Sequence, residues 1–284
     1  MAEKKTEPVP RGHLVAIGGA EDKTSDLEIL SRVFSLAPKD NLEVAVIATA
    51  SAIPGELLPA YRSAFKRLGA AKIHALDIRD RDDAADEGTV DRIRRCGLVF
   101  FTGGDQLRLT NVLGGSPVLR AIRERHAAGA VVAGTSAGAV ALSATMIYNG
   151  AAADALRKGA VKMASGFGFV EGVIIDSHFL ERGRFTRLME AGTTNPEQLG
   201  IGLGEDAAVI VHPHRILEAI GPGHVVIVDS WNLASSNVAD VETGEPVAVE
   251  NVIMHALIGG YGYDIDRRGY LDAETLKATL RNPN

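Results

Sequence analysis

The first half of the chain alternates short apolar runs with segments of helical spacing. Leu14 to Gly18 predicts a buried strand ending in Gly18-Gly19. Thr24 to Phe34 places Leu27, Ile29, Leu30 and Val33 at helical spacing. Val44 to Ala48 reads as a second strand, and Leu57 to Leu68 as a helix opened by Pro54 and closed by Gly69. Lys72 to Leu76 is a weaker strand. Val90 to Arg95 predicts a helix, Leu98 to Phe101 a strand running into Gly103-Gly104, Val118 to His126 a helix, and Ala130 to Ala133 another strand. This order implies an α/β fold, a mostly parallel sheet with helices on both faces. Ligand sites of such sheets form at the carboxyl ends of strands. Gly18-Gly19, Thr49-Ala50, Gly103-Gly104 and Ser136 all fall there.

Beyond residue 140 the pattern changes. Asn149 to Lys158 is small, polar and flanked by glycine, a loop able to cover a site. Val173 to Ile175 predicts a strand ending in Asp176-Ser177-His178. Ala207 to Val211, Ile216 to Ile220 and Val225 to Val228 follow at short spacing, as expected of antiparallel additions to the sheet. A short helix is expected near Ala273 to Leu280. The segment 1–11 is charged, holds two prolines and reads as a flexible tail, leaving 12–284 as a single α/β domain with two lobes.

Composition narrows the function classes. With 30 basic against 36 acidic residues the net charge is -6, which argues against a general nucleic-acid role. A run of about 18 apolar residues, the length needed to span a bilayer, does not occur. The single cysteine, Cys96, precedes an apolar strand and reads as packing. A cytoplasmic protein is expected.

The chemistry begins at Val131 to Ala139, an apolar run that enters Gly134-Thr135-Ser136-Ala137-Gly138. Gly-x-Ser-x-Gly between a strand and a helix start is the layout of a nucleophile elbow, in which the serine hydroxyl is lifted out of the sheet. The Ala137 amide and the Gly103-Gly104 turn are candidates for an oxyanion hole, with Gly104 supplying the second N–H. A phosphate-binding turn is the alternative there, although no Gly-x-Gly-x-x-Gly or Walker spacing is present.

Such a serine needs a base. Of eight histidines, His178 stands at a strand end beside Asp176 and is the candidate. His212-Pro213-His214 lacks helpful partners for a metal, and a serine hydrolase reading implies no metal or organic cofactor. The third member of a triad is open between Glu205, which follows a glycine-rich run and precedes a buried strand, and Asp154 in the loop. Arg182, Arg184 and Arg187 crowd just after His178. Arginine forks bind carboxylates in pairs of hydrogen bonds, so the cluster suggests a substrate with several carboxylates. Gln106 is placed to hydrogen-bond a substrate amide.

Together Gly18-Gly19-Ala20-Glu21-Asp22-Lys23, Phe101 to Leu109, Gly134 to Ala139, Asp176 to Leu188 and Gly200 to Asp206 resemble cyanophycinase, in the peptidase group that also includes aspartyl dipeptidase. The resemblance implies a Rossmann-like, flavodoxin-like sandwich related to class I glutamine amidotransferases. It implies a triad of Ser136, His178 and Glu205. It implies hydrolysis of cyanophycin, a poly-aspartate carrying arginine on each β-carboxyl, to β-Asp-Arg dipeptides. Gln106, Asp176, Arg182, Arg184 and Arg187 match the family's substrate pocket, with Asp176, Glu21 and Asp22 as acids available to a substrate guanidinium. Ser177 stands where the family usually has glutamine, the residue before Glu205 is Gly204 where the family has an acid, and the loop 150–154 is poorer in acids. The family also implies a homodimer, while the charge balance and the lack of a long apolar run predict no nucleic-acid or membrane partner. The rival readings are an aspartyl dipeptidase and a catalytically silent binding protein on the same fold.

Overall fold

The computed structural model describes residues 12–282, so the segment 1–11 read as a tail lies outside the described residues. Five strands form the parallel half of the main sheet: β1 (Leu14–Ile17), β2 (Glu43–Ile47), β3 (Lys72–Leu76), β4 (Leu98–Phe101) and β5 (Val131–Thr135). They lie in the order β3-β2-β4-β5-β1. Beyond β1 the sheet continues through Ala208–Val211, Ile216–Ile220, Gly262–Asp264 and Gly269–Leu271, each antiparallel to its neighbour. The α/β reading with antiparallel additions therefore describes this sheet.

Alternate residues of the parallel strands face opposite ways, as the pleat requires. Val15, Ile17, Val44, Val46, Leu98 and Phe100 pack against α1 (Glu28–Ser35) and α2 (Pro54–Arg67). Ala16, Ala45, Ile47, Val99 and Phe101 pack on the other side, against α3 (Glu87–Arg94), α4 (Gln106–Leu113), α5 (Pro117–Ala127) and the short α6 (Ala137–Val140). The starts of α3 and α5 are set by side-chain caps: Asp86 accepts from the Thr89 amide at 2.7 Å, and Ser116 from Leu119 at 3.1 Å with Pro117 following. The expected helix from Thr24 begins later, at Glu28, because the Asp22 carboxylate takes the amides of Thr24, Ser25 and Leu27 into a turn. Cys96 is fully buried, and burial pushes its thiol up to about 12.

Val225–Asp229 does not extend the main sheet. It joins a second sheet of Val173–Asp176, Leu199–Leu203, Val225–Asp229 and Ile253–Leu257. Val173, Ile175, Leu199, Ile201, Val225 and Ile227 pack toward the main sheet's core. Ile174, Val226 and Val228 pack outward on Leu188 and Ala191 of α7 (Phe185–Thr194). A strand covered on both faces reads as one continuous apolar run, so its pattern does not say which sheet it joins. The segment read as the loop Asn149 to Lys158 is the tip of a hairpin between Thr145–Asn149 and Lys162–Ser165. A last helix, α8 (Ala273–Arg281), is capped by Asp272. No helix among the described residues is long and apolar enough to cross a membrane.

Candidate active site

Ser136 sits between β5 and α6 with φ 52° and ψ −115°. That is a strained conformation for a residue with a side chain, of the kind that surrounding structure must impose. The two glycines of the motif provide the space. A Cβ at Gly134 would lie 2.4 Å from the Gly138 carbonyl carbon, and one at Gly138 would lie 2.5 Å from the Phe101 carbonyl oxygen. The strand and helix can approach this closely only without those side chains.

The Ser136 hydroxyl lies 3.0 Å from His178 Nε2, and His178 Nδ1 lies 2.6 Å from a Glu205 carboxylate oxygen. A neutral imidazole donating from Nδ1 to the carboxylate presents Nε2 as the acceptor of the serine proton. The geometry brings together the serine, the histidine and Glu205. Asp154 is exposed on the hairpin tip, and the Glu205 carboxylate occupies the position beside Nδ1. His178 is itself left-handed at φ 47°. It is pinned by its amide, which donates to the Gly18 carbonyl at 2.9 Å. A Cβ at Gly19 (φ 111°) would lie 2.4 Å from the imidazole, so the ring occupies space that only glycine leaves free.

The turn that carries Gly104 also lies beside the serine. Gly103 approaches the serine so nearly that its Cβ would lie 3.2 Å from that of Ser136. The Ser136 amide is engaged, donating to the Ile17 carbonyl at 2.9 Å. The Gly104 and Ala137 amides donate to no backbone acceptor among the described residues.

The arginine segment is arranged differently from a row of free guanidinium groups. Asp176 is fully buried. Arg187 grips it with two bonds, Nε to Oδ2 at 2.9 Å and Nη2 to Oδ1 at 2.6 Å, and Arg184 Nη1 adds a third at 3.0 Å. Both carboxylate oxygens are thus taken inside the protein, which removes Asp176 as an open partner for a substrate guanidinium. Glu21 and Asp22 are removed for the same reason. Glu21 is buried among Tyr61, Thr135 and Lys23, and Asp22 is held well below the usual carboxylate range by the turn amides it accepts. Arg187 is buried, and its remaining nitrogen donates to the Gly150 carbonyl at 2.9 Å, tying α7 to the hairpin tip. Arg184 also donates to the Ser177 carbonyl at 2.7 Å, and burial lowers its pKa from the ordinary value. Ser177 is buried. Arg182 is exposed, and its guanidinium makes no ion pair among the described residues. Gln106 begins α4 and donates to the Ile147 carbonyl at 2.9 Å. Two arginines on one carboxylate leave the cluster with a net positive charge next to the histidine.

Three residues of this region carry no signal in the sequence reading: Thr135, Tyr61 and Glu190. Glu190, on α7, accepts from the Leu156 and Val161 amides at 2.9 and 3.0 Å and fixes the hairpin tip from within. Among the described residues no group of three or more His, Cys, Asp or Glu side chains is arranged to hold a metal. His212 of the His-Pro-His turn is instead paired with Glu218 at 2.8 Å.

Residues 14–219 match the model of peptidase family S51. The chain belongs to peptidase family S51. Relatives match over nearly its whole length. The cyanophycinase of Geminocystis herdmanii (strain PCC 6308) is 37% identical over 255 residues, 89% of this chain and 94% of the relative. That of Nostoc sp. (strain PCC 7120 / SAG 25.82 / UTEX 2576) is 36% identical over 272 residues, 95% of this chain and 91% of the relative. A crystal structure of a peptidase from an acI-B1 Actinobacterium superposes with a TM-score of 0.66 at 20% identity, covering 91% of this chain and 98% of that one. At that identity the superposition speaks for the fold alone.

Proposed function

We propose that the protein is a serine exopeptidase that hydrolyses cyanophycin to β-Asp-Arg dipeptides through an acyl-enzyme on Ser136. The observation that carries this reading is the hydrogen-bonded line Ser136–His178–Glu205 in an S51 chain whose full-length relatives are cyanophycinases. His178 Nε2 takes the hydroxyl proton as Ser136 Oγ attacks the scissile carbonyl. Glu205 holds the imidazole tautomer and stabilises the imidazolium that forms. The Gly104 and Ala137 amides donate to the oxyanion. His178 then passes the proton to the leaving amine, and water repeats the sequence to free the acyl group.

The substrate's arginine carries an α-carboxylate, which suits the excess positive charge around Asp176. In this reading Arg182 and Arg184 meet substrate, while Asp176 and Arg187 hold the pocket wall. Gln106 and Ser177 line the same pocket. The proposal includes a homodimer, by analogy with the family, and a cytoplasmic location, which the single buried cysteine suits; light scattering on the purified protein checks the dimer.

The test is incubation with insoluble cyanophycin, followed by mass spectrometry for β-Asp-Arg. Wild-type protein is expected to release the dipeptide. Ser136→Ala is expected to release none while keeping its circular dichroism spectrum. Turnover by the variant would exclude Ser136 as nucleophile. Activity of the wild type only on aspartyl dipeptides would exclude the polymer.

A further inference from the structure

Three successive carbonyls at the end of β1 hold the three catalytic segments. Ile17 O accepts from the Ser136 amide, Gly18 O from the His178 amide and Gly19 O from the Asp206 amide, each at 2.9 Å. Asp206 directly follows Glu205. The close approaches agree with this: a Cβ at Gly18 would lie 1.9 Å from the Gly204 carbonyl oxygen, and one at Gly19 would enter the His178 ring. Residues 17–19 are therefore a common seat for nucleophile, base and carboxylate. Among the described residues, four of the nine non-glycine positions with positive φ, namely Ala20, Ser136, His178 and Asp206, lie on or against it. Each costs about 1–3 kcal/mol and persists only where its surroundings over-determine it.

Two residues past the seat, Glu21 is buried, at 2% exposure. One carboxylate oxygen accepts from Thr135 Oγ1 at 2.6 Å. The other accepts from the Tyr61 hydroxyl and lies 3.2 Å from Lys23 Nζ. Thr135 is the residue before the nucleophile and pairs with Ile17 across the β1–β5 register. Burial and the neighbouring carboxylate hold the Tyr61 phenol well above its ordinary pKa, so it stays a donor. Burying a charge is a poor route to stability, since an apolar group of the same shape often serves as well. What the carboxylate supplies is a directional tie from the seat to the turn that carries Ser136.

We propose that Glu21 is a positioning residue for the triad, acting through Thr135 and held in place by Tyr61. The proposal rests on Ser136 being the nucleophile. A misplacement of about 1 Å at a reacting centre can cost on the order of 100-fold in rate.

The experiment compares wild type, Thr135→Val, Thr135→Ser and Tyr61→Phe. A fluorophosphonate titrates the active sites and gives a labelling rate. Cyanophycin hydrolysis gives kcat per titrated site and KM. Thr135→Val keeps the shape and removes the hydroxyl. It is expected to lose at least about tenfold in kcat per titrated site and in labelling rate, with KM within about twofold. Thr135→Ser should restore most of that loss. A purely structural tie would lower the melting temperature and the titratable fraction but leave kcat per site unchanged, and that result overturns the proposal. Should Thr135→Val fail to fold, Tyr61→Phe is read by the same criterion. A wild type that labels but releases no dipeptide overturns the substrate alone, and the labelling rates still decide the role of Glu21. A wild type that does neither overturns both readings.

Discussion

Asp176 and Arg187 show how a residue pattern can leave a contact unread. Three arginines after a histidine read in the sequence as groups offered to a ligand. In the fold one acid, eight and eleven positions away from two of them, takes up both. No spacing rule announces this, because Asp176 ends a strand while Arg184 and Arg187 open a helix. Asp176→Ala therefore leaves two guanidinium groups largely buried without their partner. A loss of about 3–5 kcal/mol is expected, read as a lower urea midpoint. Arg187→Ala should likewise lower the midpoint, whereas Arg182→Ala should change KM for the polymer with no shift in midpoint. His13 gives a second residue-level test. Burial, with help from His212 and Arg32, lowers its pKa to about 4 from the ordinary 6.5. Between those values the unfolded chain binds the proton and the folded chain does not. Stability from this group is complete above about pH 6.5 and falls as pH drops toward about 4. His13→Asn should flatten that part of the melting-temperature profile.

At the scale of elements, the tight strand-to-helix turn at Ser136 was legible because its requirements are local. A strand, two glycines and a helix start must follow one another in the sequence, and the close approaches of Gly134 and Gly138 explain why. Gly138→Ala puts a methyl group against the Phe101 carbonyl. It is expected to remove fluorophosphonate labelling and to lower the melting temperature, since backbone on both sides must shift. The hairpin of 145–165 was not legible. Its small, polar tip reads as a loop, and the strands flanking it are short and only partly buried. That tip is held by α7, through Thr186, Arg187 and Glu190 on its inner face, and by the segment 241–247, which hydrogen-bonds Leu156, Arg157 and Lys158. Glu190→Gln replaces one acceptor of two backbone amides with a donor. Faster proteolysis within residues 150–161 is the expected outcome, measured by limited digestion and mass mapping.

At the scale of the whole molecule, the hydrogen-bonded line Ser136–His178–Glu205 draws on both sheets. Ser136 leaves the main sheet, His178 and Glu205 leave the second, and the carbonyls of residues 17–19 join them. The alternation of strands and helices made the parallel half readable, because each β-α unit repeats the same pattern. The second sheet was not readable as a sheet, since Val225–Asp229 is buried on both faces and carries no sign of its neighbours. Its consequence was readable all the same, because the strand ending in Asp176-Ser177-His178 delivers its histidine whichever sheet holds it. The buried thiol at the end of α3 offers a different use of the same packing. Cys96 is the chain's one cysteine, closed off from solvent and bonded to the Arg92 carbonyl. Iodoacetamide can reach it only when this part of the core opens, so its rate of alkylation times that opening in unmodified protein. The chain thus contains its own clock for unfolding, one that runs without touching the serine.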